Sequence, residues 1–189
     1  MPVRAHRLRV TAENLARLRV VADYQFGAGA GAALFPPGED LAVRRSTAGR
    51  PRQVLAATPQ GARGVDDGKG ETDRRDRRAR LVSYGIDGRF TLGVAGGRRL
   101  LGAFASPRVR VAVGEESEPF VREGKNAFAK FVRRVDPAVR PGDEVCVVGP
   151  DDGLFAVGRA VLPATGMVDF ETGMAVKIRE GAERPTDEA

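Results

Sequence analysis

The sequence predicts an α+β protein of two units, a small α/β unit followed by a small β-barrel. Three observations support this fold class: helical spacing of apolar residues near the start, short strand-like runs separated by tight turns, and a change of charge along the chain. The length of 189 residues fits two small units. It is too short for a complete (β/α)8 barrel, which takes roughly 200 residues or more.

The charge divides the chain into two parts. Residues 1–107 contain 19 basic and 10 acidic side chains, whereas residues 108–189 contain 12 basic and 15 acidic ones. We place the boundary at Ser106-Pro107, where a proline interrupts the apolar pattern. A basic first part suits a polyanion such as nucleic acid. A solvated surface explains the charge equally well, because the composition as a whole is rich in arginine, with 27 Arg and 4 Lys.

The first unit, predicted over 1–107, begins with a helix. Thr11 is a suitable N-cap, and the apolar residues after it follow helical spacing, which predicts a helix over 11–25. A second short helix is predicted over 30–35. The glycine-rich segment before it has neither the preceding strand nor the Lys-Ser/Thr of a phosphate-binding loop, so close packing explains its glycines better.

Strand-like runs fill the rest of the first unit, at 41–44, 53–56, 80–83 and 90–94. Turn signals at 49–51, 87–88 and 96–97 separate or end them. The Asp87-Gly88 pair predicts a hairpin between the last two strands. Residues 61–80 mix opposite charges with almost no apolar side chains, which predicts a mobile loop.

The second unit, predicted over 108–181, shows stronger alternation, and residues 182–189 are predicted as a flexible tail. Strands are predicted over 109–113, 127–132, 144–148, 155–160 and 175–179. A short helical turn over 118–123 ends at Gly124. So many short strands with tight turns indicate a small barrel. In the last strand, Val176 and Ile178 are predicted to point inward and Lys177 and Arg179 outward.

Several function classes are excluded by composition. The chain has one cysteine, Cys146, and one histidine, His6, so it has neither an internal disulfide nor a Cys/His zinc site. His6 lies near the start of the sequence, which argues against histidine-based catalysis. No apolar stretch is long enough to span a membrane, and the first residues lack the apolar core of a signal peptide. We therefore expect a cytoplasmic protein with no membrane contact, no metal and no cofactor.

Four segments of the second unit carry a family resemblance. They are 118–132, which reads EPFVREGKNAFAKFV, then 140–148, 154–160 and 173–179. In this order they resemble the PUA domain, the small pseudo-barrel that binds RNA in pseudouridine synthases and archaeosine transglycosylases. The resemblance implies a PUA-type β pseudo-barrel for the second unit.

Segments of the first unit carry a second resemblance, at 22–35, 45–54, 87–92 and 98–100. They are similar to the patch-forming C2 domain that precedes PUA in archaeal tRNA-guanine transglycosylases and archaeosine synthases. Together the resemblances cover about residues 8–181. The family's catalytic barrel, with its paired aspartates and zinc cysteines, has no counterpart in this sequence. The loop over 61–80 is also longer than the family pattern.

The PUA resemblance implies a set of RNA-binding residues on the short helix, the glycine-containing loop, the next strand and the last strand. These are Arg122, Gly124, Lys125, Asn126, Ala127, Lys130, Lys177 and Arg179. Gly124 is expected to let RNA approach the backbone closely, with exposed amides that bind phosphate or a base. Four phenylalanines of the unit, Phe120, Phe128, Phe131 and Phe155, are candidates for base stacking, although we expect most of them to lie in the core.

The resemblances imply an archaeal RNA-binding protein that binds tRNA as an accessory to tRNA modification of the archaeosine type. No residue is assigned a catalytic role. The implied partners are tRNA and a separate catalytic subunit, and a homodimer through the C2-like unit is a further expectation. Two alternatives remain open. One is a protein-interaction subunit that docks on a separate catalytic transglycosylase or other modification enzyme through Tyr24-Gln25-Phe26. The other is an Asp-dependent RNA-modifying enzyme, such as a pseudouridine synthase.

Overall fold

The computed structural model describes residues 7–57 and 78–183. Two compact units divide between Phe90 and Thr91, and we call Met1–Phe90 unit 1 and Thr91–Ala189 unit 2. Both units combine helices and sheets, which confirms the α+β fold class. Most of the predicted loop over 61–80 lies outside the described residues, as does most of the predicted tail. Residues 78–80 of that loop belong to a strand.

Two helices near the start of unit 1 lie close to those that the sequence predicts. Helix α1 is Ala12–Phe26, and the hydroxyl of Thr11 accepts a hydrogen bond from the backbone N–H of Asn14 at 3.3 Å. This bond satisfies one of the free N–H groups in the first turn of the helix. Helix α2 is Ala30–Leu34. Its approach to α1 depends on Gly31, because a Cβ there would lie 2.7 Å from the Cα of Arg19.

A five-stranded sheet completes unit 1, and its last strand continues into the first two residues of unit 2. Its strands are β1 (Arg7–Arg9), β2 (Leu41–Arg45), β3 (Pro51–Ala57), β4 (Arg78–Tyr84) and β5 (Phe90–Leu92). They neighbour one another in chain order, and the pairs from β1 to β4 are antiparallel. The turn between β4 and β5 contains Gly88 at φ +78° and confirms the predicted turn at Asp87-Gly88.

The end of α1 is fixed to β5 by one side chain. The amide of Gln25 donates to the carbonyl of Phe90 at 2.7 Å and accepts from its N–H at 2.7 Å. Phe26, the next residue, is buried. The predicted docking surface Tyr24-Gln25-Phe26 is therefore wrong as a continuous surface, because only Tyr24 faces solvent, with 90% of its area exposed.

The first helix of unit 2 was not predicted from the sequence. Helix α3 is Val94–Ala103 and runs through Gly96-Gly97, where a turn was predicted. The glycines allow close packing rather than a turn, since a Cβ on Gly97 would lie 2.7 Å from Val157 Cγ1. The same packing places α3 in unit 2, so the division between the units falls before the predicted boundary at Ser106-Pro107.

A six-stranded sheet forms the body of unit 2. Its strands are β6 (Arg110–Val113), β7 (Ala127–Phe128), β8 (Val132–Val135), β9 (Glu144–Val148), β10 (Leu154–Ala160) and β11 (Met174–Gly181). The spatial order is β7-β11-β10-β9-β6-β8, with β6 and β9 parallel and the other pairs antiparallel. Helix α4 (Glu118–Arg122) lies between β6 and β7 in the chain, and α5 (Ala164–Asp169) between β10 and β11.

One predicted element of unit 2 needs correction, and one observed element was not predicted. The strand predicted over 127–132 is interrupted by a 3-10 turn at Ala129–Phe131, so its two ends belong to different strands. Those strands, β7 and β8, lie at opposite ends of the spatial order. The turn separates them because each pairs with a different neighbour, β7 with β11 and β8 with β6. Helix α5 was not predicted at all.

A buried arginine holds the end of α3 to the sheet. The side chain of Arg110 is 3% exposed, and its Nε lies 2.8 Å from a carboxylate oxygen of Asp152. Its Nη atoms donate to the carbonyls of Leu101, Phe104 and Arg108, all at 2.8–2.9 Å. Because the last carbonyls of a helix lack partners within the helix, this guanidinium supplies the bonds that the end of α3 needs.

Candidate nucleic-acid interface

The glycine-containing loop after α4 is a helix-terminating motif with two defining bonds. The N–H of Gly124 donates to the carbonyl of Val121 at 3.0 Å, and the N–H of Lys125 donates to that of Phe120 at 2.9 Å. This pair of bonds is the Schellman motif, which requires a left-handed residue at the position of Gly124. Gly124 has φ +86°, as the motif demands.

These bonds change the expected role of the loop backbone. The amides of Gly124 and Lys125 already donate within the protein, so the predicted use of these exposed amides for RNA is wrong. The space beside Gly124 is open, since a Cβ there would meet nothing within 4 Å. The loop therefore offers side chains and an unobstructed approach.

Lys125 of this loop and Phe120 of α4 both project into solvent. The ammonium of Lys125 lies 3.1 Å from a carboxylate oxygen of Glu123 and 5.2 Å from the ring centroid of Phe120. Both members of the Lys125–Glu123 pair are well exposed, so the ion pair contributes little to stability. Phe120 has 52% of its area exposed. The loop thus presents a cation beside an aromatic face.

Asn126 and Ala127 serve the fold rather than the surface. The side-chain oxygen of Asn126 accepts a hydrogen bond from the N–H of Ile178 at 3.1 Å. Ala127 is buried and pairs with Val176 of β11. These two residues fix the loop to the last strand. They also bring Lys177, exposed between Val176 and Ile178, into the neighbourhood of the loop.

Lys130 and Phe128 extend the exposed surface along the chain. Lys130 is exposed, and its ammonium lies 4.8 Å from the ring centroid of Phe131. Phe128 lies on β7, at one end of the spatial order of the sheet, and has 44% of its area exposed. We call Phe120, Gly124, Lys125, Phe128, Lys130 and Lys177 the loop surface.

Arg122 is placed where it holds the fold together. Its Nε lies 2.7 Å from a carboxylate oxygen of Glu118, and its Nη1 donates to the carbonyls of Leu154 and Ala182. The guanidinium carbon lies 4.6 Å from the ring centroid of Phe155. With its side chain 12% exposed, Arg122 is a packing residue, and we leave it out of the loop surface.

Arg179 is shared between solvent and a buried acid. Its Nε lies 3.1 Å from a carboxylate oxygen of Glu144, which is buried and also accepts from the N–H of Leu92 at 3.0 Å. Burial raises the pKa of Glu144, and the hydrogen bond from Leu92 and the charge of Arg179 act in the opposite direction. The guanidinium of Arg179 thus already has a structural partner.

The exposure of the aromatic rings corrects the expectation that most of them lie in the core. Phe155 is buried and Phe131 is half-buried, but Phe120 and Phe128 are exposed. The sequence carries a signal for Phe120. It lies five residues before Lys125, which directly follows the helix-ending Gly124. No comparable signal marks Phe128, whose exposure depends on the position of β7 in the sheet.

Other chemistry-bearing residues have structural roles. A carboxylate oxygen of Asp143 accepts from the N–H of Arg140 at 2.9 Å, which accounts for its place in the turn before β9. Burial raises the pKa of the Cys146 thiol to about 12, so it stays protonated. Within residues 7–57 and 78–183, no group of three or more His, Cys, Asp or Glu side chains is arranged to hold a metal. In the same ranges, no helix has the length and apolar character needed to cross a membrane.

Two known domain families match segments of this chain. Residues 109–182 match the PUA domain, and residues 16–65 match the patch-forming domain C2 of tRNA-guanine transglycosylase. The tRNA-guanine(15) transglycosylase of Pyrococcus furiosus is 38% identical over 174 residues, which cover 92% of this chain and 26% of the relative. That of Methanothermobacter thermautotrophicus is 41% identical over 175 residues, covering 92% and 24%. The chain thus spans about a quarter of the length of these relatives.

Solved structures support the fold. A conserved PUA domain protein from Thermoplasma acidophilum has a TM-score of 0.62 at 20% identity, covering 97% of this chain and 96% of that one. A hypothetical protein from Pyrococcus horikoshii has a TM-score of 0.65 at 16% identity, covering 95% and 96%. The sequence matches and the PUA-type sheet of unit 2 confirm both predicted resemblances. This chain carries a PUA domain preceded by a patch-forming domain C2 of the tRNA-guanine transglycosylase type.

Proposed function

We propose that this protein binds RNA through the loop surface of its PUA domain, and that the RNA is tRNA. The observation that carries the proposal is the Schellman loop, which places the Lys125 ammonium beside the exposed ring of Phe120 over open space at Gly124. A cation next to an aromatic face is suited to a nucleotide, because the cation binds phosphate while the ring stacks on a base. Two further exposed cations, Lys130 and Lys177, and a second exposed ring, Phe128, belong to the same surface.

The binding test compares loop variants with a matched control. Lys125→Ala removes one phosphate contact, so we expect weaker tRNA binding and a slope of log K against log salt that is shallower by about 0.7–0.9. Gly124→Val is expected to weaken binding further, because a β-branched residue resists φ +86° and disrupts the loop. The measurement is tRNA affinity by fluorescence anisotropy at several salt concentrations, with thermal melting of each variant.

Arg140→Ala is the control, because Arg140 is exposed on unit 2 but outside the loop surface. We expect its affinity and salt slope to stay close to those of the unmodified protein. If Lys125→Ala keeps both wild-type affinity and wild-type slope, the loop surface is not the RNA-binding surface. A wild-type affinity that does not change with salt would contradict nucleic-acid binding altogether.

We further propose that binding serves tRNA modification of the archaeosine type, in the cytoplasm, with catalysis supplied by a separate chain. The support is the set of relatives named tRNA-guanine(15) transglycosylase, of which this chain spans about a quarter. One feature of unit 1 suits the protein-interaction role. Val20 and Tyr24 lie one helical turn apart on α1 with 68% and 90% of their areas exposed. We propose that this apolar pair docks the catalytic chain, with a homodimer as the competing arrangement.

A reconstitution experiment tests this role. The purified protein is expected to exchange no labelled guanine into tRNA by itself, and to stimulate exchange by a transglycosylase chain that carries a catalytic barrel. Tyr24→Arg is expected to abolish the stimulation while leaving tRNA affinity unchanged. Exchange by the purified protein alone would contradict the accessory role. A Tyr24→Arg variant that stimulates normally, or that only converts a dimer to a monomer, would contradict docking at α1.

A further inference from the structure

Unit 1 contains a pocket that the proposed RNA-binding surface does not use. It lies between α1 and the sheet and has a volume of about 210 Å³. Its floor is apolar and includes the buried side chains of Leu18 and Phe90. Its polar lining comes from both elements, with Asn14 and Arg17 on α1 and Arg45 and Tyr84 on the sheet. The pocket thus combines an apolar base with two guanidinium groups, an amide and a phenol.

Arg45 is the most informative residue of the lining. Its Nη1 donates to the carbonyl of Gly49 at 2.8 Å, which fixes the guanidinium at the end of β2. Its Nε is buried, yet within residues 7–57 and 78–183 it finds no hydrogen-bond acceptor. A buried donor without an acceptor is costly. A ligand oxygen reaches this Nε only when the Arg45 side chain shifts toward the pocket, and an anionic or carbonyl oxygen then supplies the missing acceptor.

Tyr84 adds an aromatic wall next to this cation. Its ring meets Phe90 edge-to-face, with centroids 5.2 Å apart. Burial raises the pKa of Tyr84, and the nearby charge of Arg45 acts in the opposite direction. The phenol is therefore neutral at physiological pH and is available as a hydrogen-bond donor or acceptor. Its ring is partly exposed, and aromatic rings pack favourably against other planar rings.

The second arginine of the pocket lining, Arg17, is held less firmly than Arg45. Arg17 is exposed, and its Nη2 lies 2.6 Å from a carboxylate oxygen of Glu13. An exposed pair of this kind is worth little, so the guanidinium can turn to an incoming anion. Glu13 lowers the attraction of this side of the rim for anions. The positive charge at the pocket consequently rests mainly on Arg45.

We propose that this pocket binds one nucleoside monophosphate unit, with the phosphate on Arg45 and Arg17 and the base against Tyr84 above the apolar floor. An amide such as that of Asn14 can pair with a base edge, whereas a simple inorganic anion would leave the aromatic and apolar lining unused. The unit is either a free mononucleotide or one nucleotide of a single-stranded RNA. The choice of a nucleotide over another aromatic anion rests on the proposed RNA-binding function.

The test measures binding to the full chain by calorimetry with three probes: nucleoside 5′-monophosphates, a single-stranded RNA tetranucleotide and inorganic phosphate. Arg45→Gln is expected to weaken binding of the preferred nucleotide at least about tenfold, because it removes a charge-assisted contact. Tyr84→Phe keeps the ring and is expected to have a smaller effect. Arg52→Gln is the control, since Arg52 is an exposed arginine of β3 outside the pocket lining.

A second readout does not depend on the stability of the variants. A photoreactive nucleotide with its reactive group on the base is expected to crosslink to the peptide that contains Tyr84 in the unmodified protein. Tighter binding of the tetranucleotide than of any mononucleotide assigns the pocket to an RNA residue, and the reverse assigns it to a free nucleotide. Equal binding of phosphate and nucleotides, or crosslinks outside the lining, would overturn the proposal.

The design separates this inference from the function proposed for unit 2. Lys125→Ala is expected to weaken tRNA binding and to leave mononucleotide binding unchanged, while Arg45→Gln is expected to abolish the mononucleotide response. Failure of the loop surface alone shows as unchanged tRNA affinity in Lys125→Ala with the pocket intact. Failure of the pocket shows as absence of mononucleotide and tetranucleotide binding, or as equal binding to Arg45→Gln, with the loop effect retained.

Discussion

Replacing Arg110 by methionine is expected to destabilise unit 2 more than any other single change discussed for this protein. The substitution keeps the apolar volume but leaves the carbonyls of Leu101 and Phe104 and the carboxylate of Asp152 without their donor. Removing one partner of a buried charged network typically costs about 3–5 kcal/mol. Because the side chain of Asp152 is 39% exposed and can regain water, we expect the lower end of that range, about 3 kcal/mol.

The measurement is the free energy of unfolding from urea denaturation, with Arg140→Met as the control because Arg140 is exposed. The control is expected to change stability by less than about 0.5 kcal/mol. Arg110→Lys is expected to recover only part of the loss, since an ammonium cannot reproduce the planar arrangement of donors that reaches three carbonyls and a carboxylate. A loss of less than about 1 kcal/mol in Arg110→Met would contradict the structural role given to this guanidinium.

Arg122→Met is expected to destabilise the protein by about 2–3 kcal/mol without weakening tRNA binding by the folded form. The change removes hydrogen bonds to the carbonyls of Leu154 and Ala182, an ion pair with Glu118 and a cation–π contact with Phe155. A hydrogen bond that involves a charged group is worth about 1.5–3 kcal/mol. Because both of these bonds come from the single Nη1 of Arg122, they contribute less than two separate bonds would. The partial exposure of Glu118 reduces the net loss, because water can solvate the carboxylate.

Two measurements separate a structural role of Arg122 from a role in RNA binding. They are thermal melting, and tRNA affinity at a temperature where the variant is folded. Arg122→Met is expected to melt earlier and to bind within about twofold of the unmodified protein. Lys125→Ala is expected to show the opposite pattern, with melting preserved and affinity reduced. If Arg122→Met melts normally but binds tRNA weakly, Arg122 contacts RNA, as the resemblance to the PUA domain implies.

Local sequence signals predicted the elements whose boundaries are set by short-range chemistry. Thr11 predicted the start of α1 because its hydroxyl bonds to an N–H three residues away. Strand β9 was predicted with its observed bounds, since the turn before it and its apolar run are both local features. Helix α3 was missed because Gly96-Gly97 reads locally as a turn, whereas the helix depends on packing against Val157, about sixty residues later.

The sequence predicted the loop at Gly124 and Lys125, but not the roles of residues whose partners are distant in the chain. Gly124 and Lys125 follow from a helix end and an adjacent charge, both of which are local features. The role of Arg122 was not predictable, because its partners Leu154 and Ala182 are 32 and 60 residues away in the chain. The proximity of Arg45 and Tyr84 was not predictable for the same reason, because the two residues are far apart in the chain.

The position of β11 has a consequence for synthesis. Strand β11 is the last strand in the described chain, and it lies between β7 and β10, where Ile178 bonds to Asn126 and Val176 pairs with Ala127. A nascent chain that has not yet emerged beyond residue 181 lacks the strand against which the Lys125 loop is fixed. Long-range pairing of this kind is also slow to form. On a translating ribosome, the loop surface is therefore among the last parts of unit 2 to assemble, after β11 has emerged.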